Sequence, residues 1–116
     1  MCNSDLMISD WSGVAIEYSV VFKKPVLFID TFPKIKNKDY KQLEIEPLEK
    51  KIRNQIGKIL SPNNLENIHE CVYSLKKLNN EKSYDYDYVY KKNYYNPYES
   101  TQKCANEINN LYMSND

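Results

Sequence analysis

The run Ser9-Asp10-Trp11-Ser12-Gly13 places a carboxylate, an indole, two hydroxyls and a glycine between two apolar stretches. A parallel-sheet protein uses this order to hold an anion. The strand ends, the loop turns, and a helix begins with free backbone N–H groups and the positive end of its dipole facing outward. Ser12 would add a hydroxyl donor. Gly13, one of two glycines in the chain, would let a phosphate come close to the backbone. Glu17 lies four residues further on, so a helix begun at Gly13 carries it on the same face, one turn in. A carboxylate at that remove is placed to accept hydrogen bonds from sugar hydroxyls. Phosphate at the helix start and ribose one turn in together describe a nucleoside diphosphate. The same residues also have plainer roles. Ser12 can serve as a helix N-cap, Gly13 can allow close packing, Glu17 can be a solvated helix residue, and Trp11 can anchor a core. The residue types alone leave both readings open.

No second chemical centre competes with this junction. The single histidine, His69, excludes a catalytic histidine pair within the chain, so no catalytic residue is assigned. Cys2, Cys71 and Cys104 are widely spaced and form no CxxC, which reads as free thiols of a reducing compartment with no metal and no cofactor. The N-terminal MCNSDLMISD lacks the basic and apolar regions of a signal peptide, and no apolar run approaches the length of a membrane span. The formal net charge is zero, so bulk charge points to no nucleic-acid partner. Charge is uneven, however. Residues 31–60 hold eight Lys/Arg against four Asp/Glu, which suits either a phosphate neighbour or a solvated lysine-rich surface.

The elements that must position the junction follow from periodicity. Asp5–Ser9 predicts a short buried strand. From Gly13, Val14, Ala15, Tyr18, Val21 and Phe22 mark a helical stripe. Lys23 and Lys24 close it and Pro25 prevents continuation. Val26–Ile29 is an unbroken apolar run, as in a parallel strand covered on both faces. The result is a βαβ unit within 29 residues. Residues 31–46 read as a loop. Pro47 opens a helix with the stripe Leu48, Ile52 and Ile56, with Gly57 as its stop. Lys58–Leu60 predicts a strand, Ser61–Asn64 a turn, and Leu65, Ile68, Val72 and Leu75 a further helix. Residues 84–98 hold seven of the eleven tyrosines. Their alternation SYDYDYVY predicts a strand or a loose connector. A last helix over 99–113 is expected to bury Ala105, Ile108 and Leu111.

Order and length add a resemblance. The run SDLMISDWSGVAIEYSVVFKKPVLFIDTFPKIKN, followed by EPLEKKIRNQIGKIL and YNPYESTQKCANEI, resembles the C-terminal part of the CDP-glycerol glycerophosphotransferase family of teichoic-acid and capsule polymerases and primases. The resemblance spans most of residues 4–112 and implies an α/β, partial Rossmann-like fold: the C-terminal half of a GT-B enzyme, a short parallel sheet flanked by helices. Residues 83–98 would be a tyrosine-rich connector and 99–113 the terminal helix. It also implies that Ser12 and Gly13 bind the donor diphosphate, that Glu17 binds the ribose, and that Asp10 shapes the loop. The donor would be CDP-glycerol. The acceptor, lipid-linked or polymeric, would be served by an N-terminal half that this chain lacks, with a peripheral contact at the inner membrane face helped by the lysines of 34–58. Family histidines have no counterpart here, since His69 matches none of them. The chain would then be cytoplasmic, resemble a truncated or split product, and be inactive alone. A non-catalytic nucleotide-binding remnant, or part of a nucleotide-sugar glycosyltransferase, remains open beside it.

Overall fold

The computed structural model describes residues 3–33, 39, 42 and 45–114. Three short strands form one parallel sheet in the order β1 (Met7–Ser9), β2 (Val26–Ile29), β3 (Gly57–Leu60). Register pairs Met7 with Val26 and Ser9 with Phe28, then Val26 with Gly57 and Ile29 with Leu60. The central strand is the unbroken apolar run, with Val26, Leu27 and Phe28 buried. A strand between two neighbours and under helices on both sides has no solvent face, so it needs no alternation.

Helices cover the two faces unequally. On one face α1 (Gly13–Phe22), α2 (Leu48–Ile56) and α4 (Tyr86–Asn93) enclose Ala15, Ile16, Tyr18, Val26, Phe28, Ile52, Ile56, Tyr86 and Val89. On the other, α3 (Ile68–Asn80) lays Leu75 against Leu27 and Leu60, following a 3₁₀ turn over Pro62–Asn67. The fold is thus α/β with a small parallel sheet and flanking helices, and the βαβ crossover is present as expected. The strand expected to be buried over Asp5–Ser9, however, is an edge strand of Met7–Ser9 with no buried residue, Ile8 being half exposed because nothing pairs beyond it among the described residues.

Four further expectations are corrected. The stripe of α1 is rotated: Ala15, Ile16, Tyr18 and Ser19 face inward, while Val14 and Val21 are exposed. Ser19 tolerates burial because its hydroxyl donates to the Lys24 carbonyl at 2.9 Å. Gly57 is no left-handed helix stop. Its φ of 178° is ordinary extended backbone, and it opens β3. Glycine is needed there because a Cβ would fall on the Val26 carbonyl oxygen of the neighbouring strand.

The tyrosine-rich stretch is neither strand nor connector at its centre but α4. The Asp85 side chain accepts from the Tyr88 N–H as a cap, and Tyr86 and Val89, three apart, share the buried face. A helical period was hidden because tyrosine occupies inward and outward positions alike: Tyr86 is buried and Tyr88 exposed. Lastly, α5 (Ser100–Ser114) exists, but Ala105, Ile108 and Leu111 are exposed, since none of its residues is buried against another element. Lys34, Lys36, Lys38 and Lys41 of the expected basic loop, and Cys2, lie outside the described residues.

Candidate functional site

The opening junction lies at the carboxyl end of the parallel sheet, where open α/β sheets receive their ligands. β1 ends at Ser9, the loop passes through Asp10 and Trp11, and α1 starts at Gly13. Ser12 occupies the N-cap position with extended backbone (φ −86°, ψ 132°), but its side chain makes no capping hydrogen bond. The hydroxyl is therefore not used up by the helix. The Ser12 carbonyl accepts from Ala15 N–H at 3.1 Å. Gly13 is exposed, does not have a positive φ, and a Cβ there would meet nothing within 4 Å. Neither backbone conformation nor packing within the described residues requires glycine at this position. Asp10 is half-buried and Glu17 is exposed on α1.

Glu17 has an aromatic neighbour that sequence reasoning did not assign. Burial raises the Tyr94 hydroxyl above its ordinary pKa, and the Glu17 charge adds to the rise. Tyr94 follows α4 and its ring meets that of Tyr90 at a tilt, centroids 4.9 Å apart, while Tyr90 also meets Tyr98 edge-on at 5.0 Å. The Glu17 carboxylate on α1 is thus close enough for its charge to act on Tyr94, the residue that follows α4.

Beneath the loop lies a second group the sequence reading did not single out. Arg53, the only arginine in the chain, comes from α2 and is buried to 3% exposure. Its Cζ sits 4.0 Å from the Trp11 ring centroid and 5.1 Å from that of Phe28. Both contacts are favourable cation–π geometries. Trp11 therefore lies against a cation, and it belongs to neither apolar core cluster. Its indole N–H donates to the Thr31 carbonyl at 2.6 Å, which ties the loop after β1 to the loop after β2. Arg53 Nη1 donates to Asp30 Oδ1 at 2.9 Å, and Asp30 is about half exposed. Arg53 Nε and Nη2 are buried with no hydrogen-bond partner among the described residues. An orphaned buried donor costs about 1–3 kcal/mol, so two on one side chain are a substantial local debt.

A hint of this cluster was present in the sequence. Arg53 sits one residue after Ile52 and three before Ile56, at the border of the apolar stripe of α2, rather than on its polar back. Its partners Trp11 and Asp30 come from other parts of the chain, and only the fold brings them together. His69 is exposed on the first turn of α3, on the opposite sheet face from α1, and joins nothing at the junction. No group of His, Cys, Asp and Glu among the described residues has the arrangement to hold a metal ion. No helix among them is long and apolar enough to cross a membrane.

No family model matches the chain, and no curated protein or solved structure matches it.

Proposed function

We propose that this chain is the donor-nucleotide-binding part of a group-transfer enzyme of the CDP-glycerol glycerophosphotransferase type, the C-terminal half of a GT-B arrangement. The observation that carries the reading is Gly13. It is one of only two glycines, it opens a helix at the carboxyl end of a parallel strand, and nothing among the described residues needs it to be glycine. Space kept clear in front of a helix N-terminus suits a diphosphate, whose charge the exposed N–H groups and the dipole would offset. The uncommitted Ser12 hydroxyl adds a donor. Glu17, exposed one turn further along the same face, would accept from the ribose hydroxyls, and Asp10 would hold the loop. In the transfer, an acceptor hydroxyl oxygen attacks the β-phosphorus of CDP-glycerol and the bond to CMP breaks. The hydroxyl proton passes to a base outside this chain. Such chemistry asks the donor-binding part mainly for positioning and charge stabilisation. The acceptor site, the contact with the inner membrane face and the cytoplasmic setting belong to the same proposal.

Calorimetric titration of the chain with CDP-glycerol and with CMP tests it. Saturable binding, tighter for CDP-glycerol, is expected, with no release of CMP above background when a lipid-linked acceptor is added. Absence of binding to either ligand would leave the junction a structural feature only.

A further inference from the structure

We infer that the unpartnered edge of Arg53 is a seat for a phosphoryl group, with Trp11 packed against the same guanidinium. The identification of that phosphoryl group with part of a nucleotide donor rests on the function proposed above. The orphaned atoms are not scattered. Nε and Nη2 lie along one edge of the guanidinium, the planar fork that meets two oxygens of a phosphate or carboxylate at once. The remaining nitrogen, Nη1, is the one already engaged by Asp30. Asp30 thus orients the group from one corner and leaves the bidentate edge unused.

The position fits an anion of the ligand. Arg53 lies beneath Trp11, whose neighbours Ser12 and Gly13 begin α1, and beside Asp30, which follows β2. Both loops leave the carboxyl ends of parallel strands, where helix N-termini favour negative charge. The guanidinium lies just under the surface: its carboxylate partner is half exposed, and the indole bond of Trp11 is in exposed surroundings. Among the described residues the Trp11 indole N–H donates one hydrogen bond, to Thr31, and its ring lies against the cation, so its emission reports on the guanidinium. Seating an anion there requires the groups that now bury the edge to give way. In exchange, two charge-assisted hydrogen bonds form to a group of opposite charge.

The composition makes the test direct. The chain has one arginine and one tryptophan. The side-chain Nε–H signal in a ¹⁵N NMR spectrum therefore belongs to Arg53, and intrinsic indole fluorescence belongs to Trp11. The chain is titrated with inorganic phosphate, pyrophosphate and acetate, with potassium chloride at matched ionic strength as control. Phosphate and pyrophosphate are expected to move the Nε–H resonance and the Trp11 emission together and saturably. Arg53→Lys keeps the charge but removes the fork, and with it the Nε–H signal, and should weaken the Trp11 emission response to phosphate about tenfold or more. Should Arg53→Lys fail to fold, the wild-type titration decides alone. No movement of the Nε–H signal beyond the chloride control overturns the inference, as does a response to acetate without one to phosphate. Binding of CDP-glycerol with an unmoved Nε–H signal overturns this seat and leaves the nucleotide reading standing. A phosphate response without nucleotide binding does the reverse.

Discussion

The two glycines of this chain sit at two junctions of opposite character. At the α2–β3 junction, Gly57 is buried and packed so tightly against β2 that a methyl group would occupy the place of the Val26 carbonyl oxygen. At the β1–α1 junction, Gly13 faces open space. The first glycine is explained by the protein itself: a parallel pair must close, and one backbone approaches another too nearly for any side chain. The second is not explained by anything the fold encloses. The same contrast runs through their surroundings. The helix that leads into Gly57 and the strand it pairs with supply an apolar cluster that includes Val26, Ile52 and Ile56. Near Gly13 there are a hydroxyl without a helix bond, an exposed carboxylate and a buried guanidinium with two idle donors. Structure occupies one junction fully, and the other keeps unused hydrogen-bonding capacity where a ligand would arrive.

Substitutions should separate the two junctions. The largest effect is expected from Gly57→Ala. Its methyl group meets backbone rather than a flexible side chain, so the strand pair must shift. The loss should reach or exceed the roughly 1–3 kcal/mol of ordinary overpacking, seen as a lower urea midpoint at unchanged slope. A Gly57→Ala protein as stable as the parent would mean that β2 and β3 are not paired as described.

Next is Gly13→Val, which should leave the urea midpoint within about 0.5 kcal/mol of the parent, because the site is empty. Its binding of CDP-glycerol should fall more than tenfold, about 1.4 kcal/mol, and its binding of CMP by less, since CMP lacks the β-phosphate. Ser12→Ala should lose about 0.5–1.5 kcal/mol of the same binding. Glu17→Gln should lose less, because the amide keeps one acceptor. Calorimetry on the three variants checks the order, and equal affinity in all of them would return the junction to a purely structural role.

The closed region should also govern alkaline stability. Burial pushes the Tyr86 hydroxyl well above the ordinary tyrosine pKa, and that hydroxyl donates to Asn79 Oδ1 at 2.8 Å. The folded chain keeps a proton that the unfolded chain gives up above pH about 10. Tyr86 therefore contributes its full stability below that pH and loses it as pH rises further, by up to about 1.4 kcal/mol per pH unit. Burial raises Tyr84 and Tyr94 too, and the hydrogen bond to Asp87 raises Tyr98. Thermal melts should thus lose nothing to these tyrosines from pH 8 to about 10 and fall increasingly above it, and Tyr86→Phe should flatten that fall without removing it. A flat profile in the parent would contradict the burial of Tyr86.

The smallest effect belongs to α5. Ending the chain after Glu99 removes a helix with no buried residue, so the urea midpoint should move by no more than about 0.5 kcal/mol. A larger loss would show that α5 contributes to the core.

The sequence by itself determined what depends on near neighbours in the chain. Pro25 after Lys23 and Lys24 ends α1, Val26–Ile29 declares a strand with no solvent face, and Leu48, Ile52 and Ile56 set the inward face of α2. Tertiary structure decided what depends on distant partners. The alternation of tyrosines around Asp85 and Asp87 carried a strand period, and packing of Tyr86 and Val89 against α1 and α2 made it a helix. The reason for Gly57 lies 31 residues away, on the Val26 carbonyl. Arg53 reads along the chain as one more cation among lysines. It becomes a buried, half-satisfied donor only because folding lays Trp11 over it and Asp30 beside it, 42 and 23 residues earlier in the chain. A period of two or 3.6 is a local property that a sequence displays. The desolvation of a charge is set by whatever covers it, and nothing near Arg53 in the sequence supplies that cover.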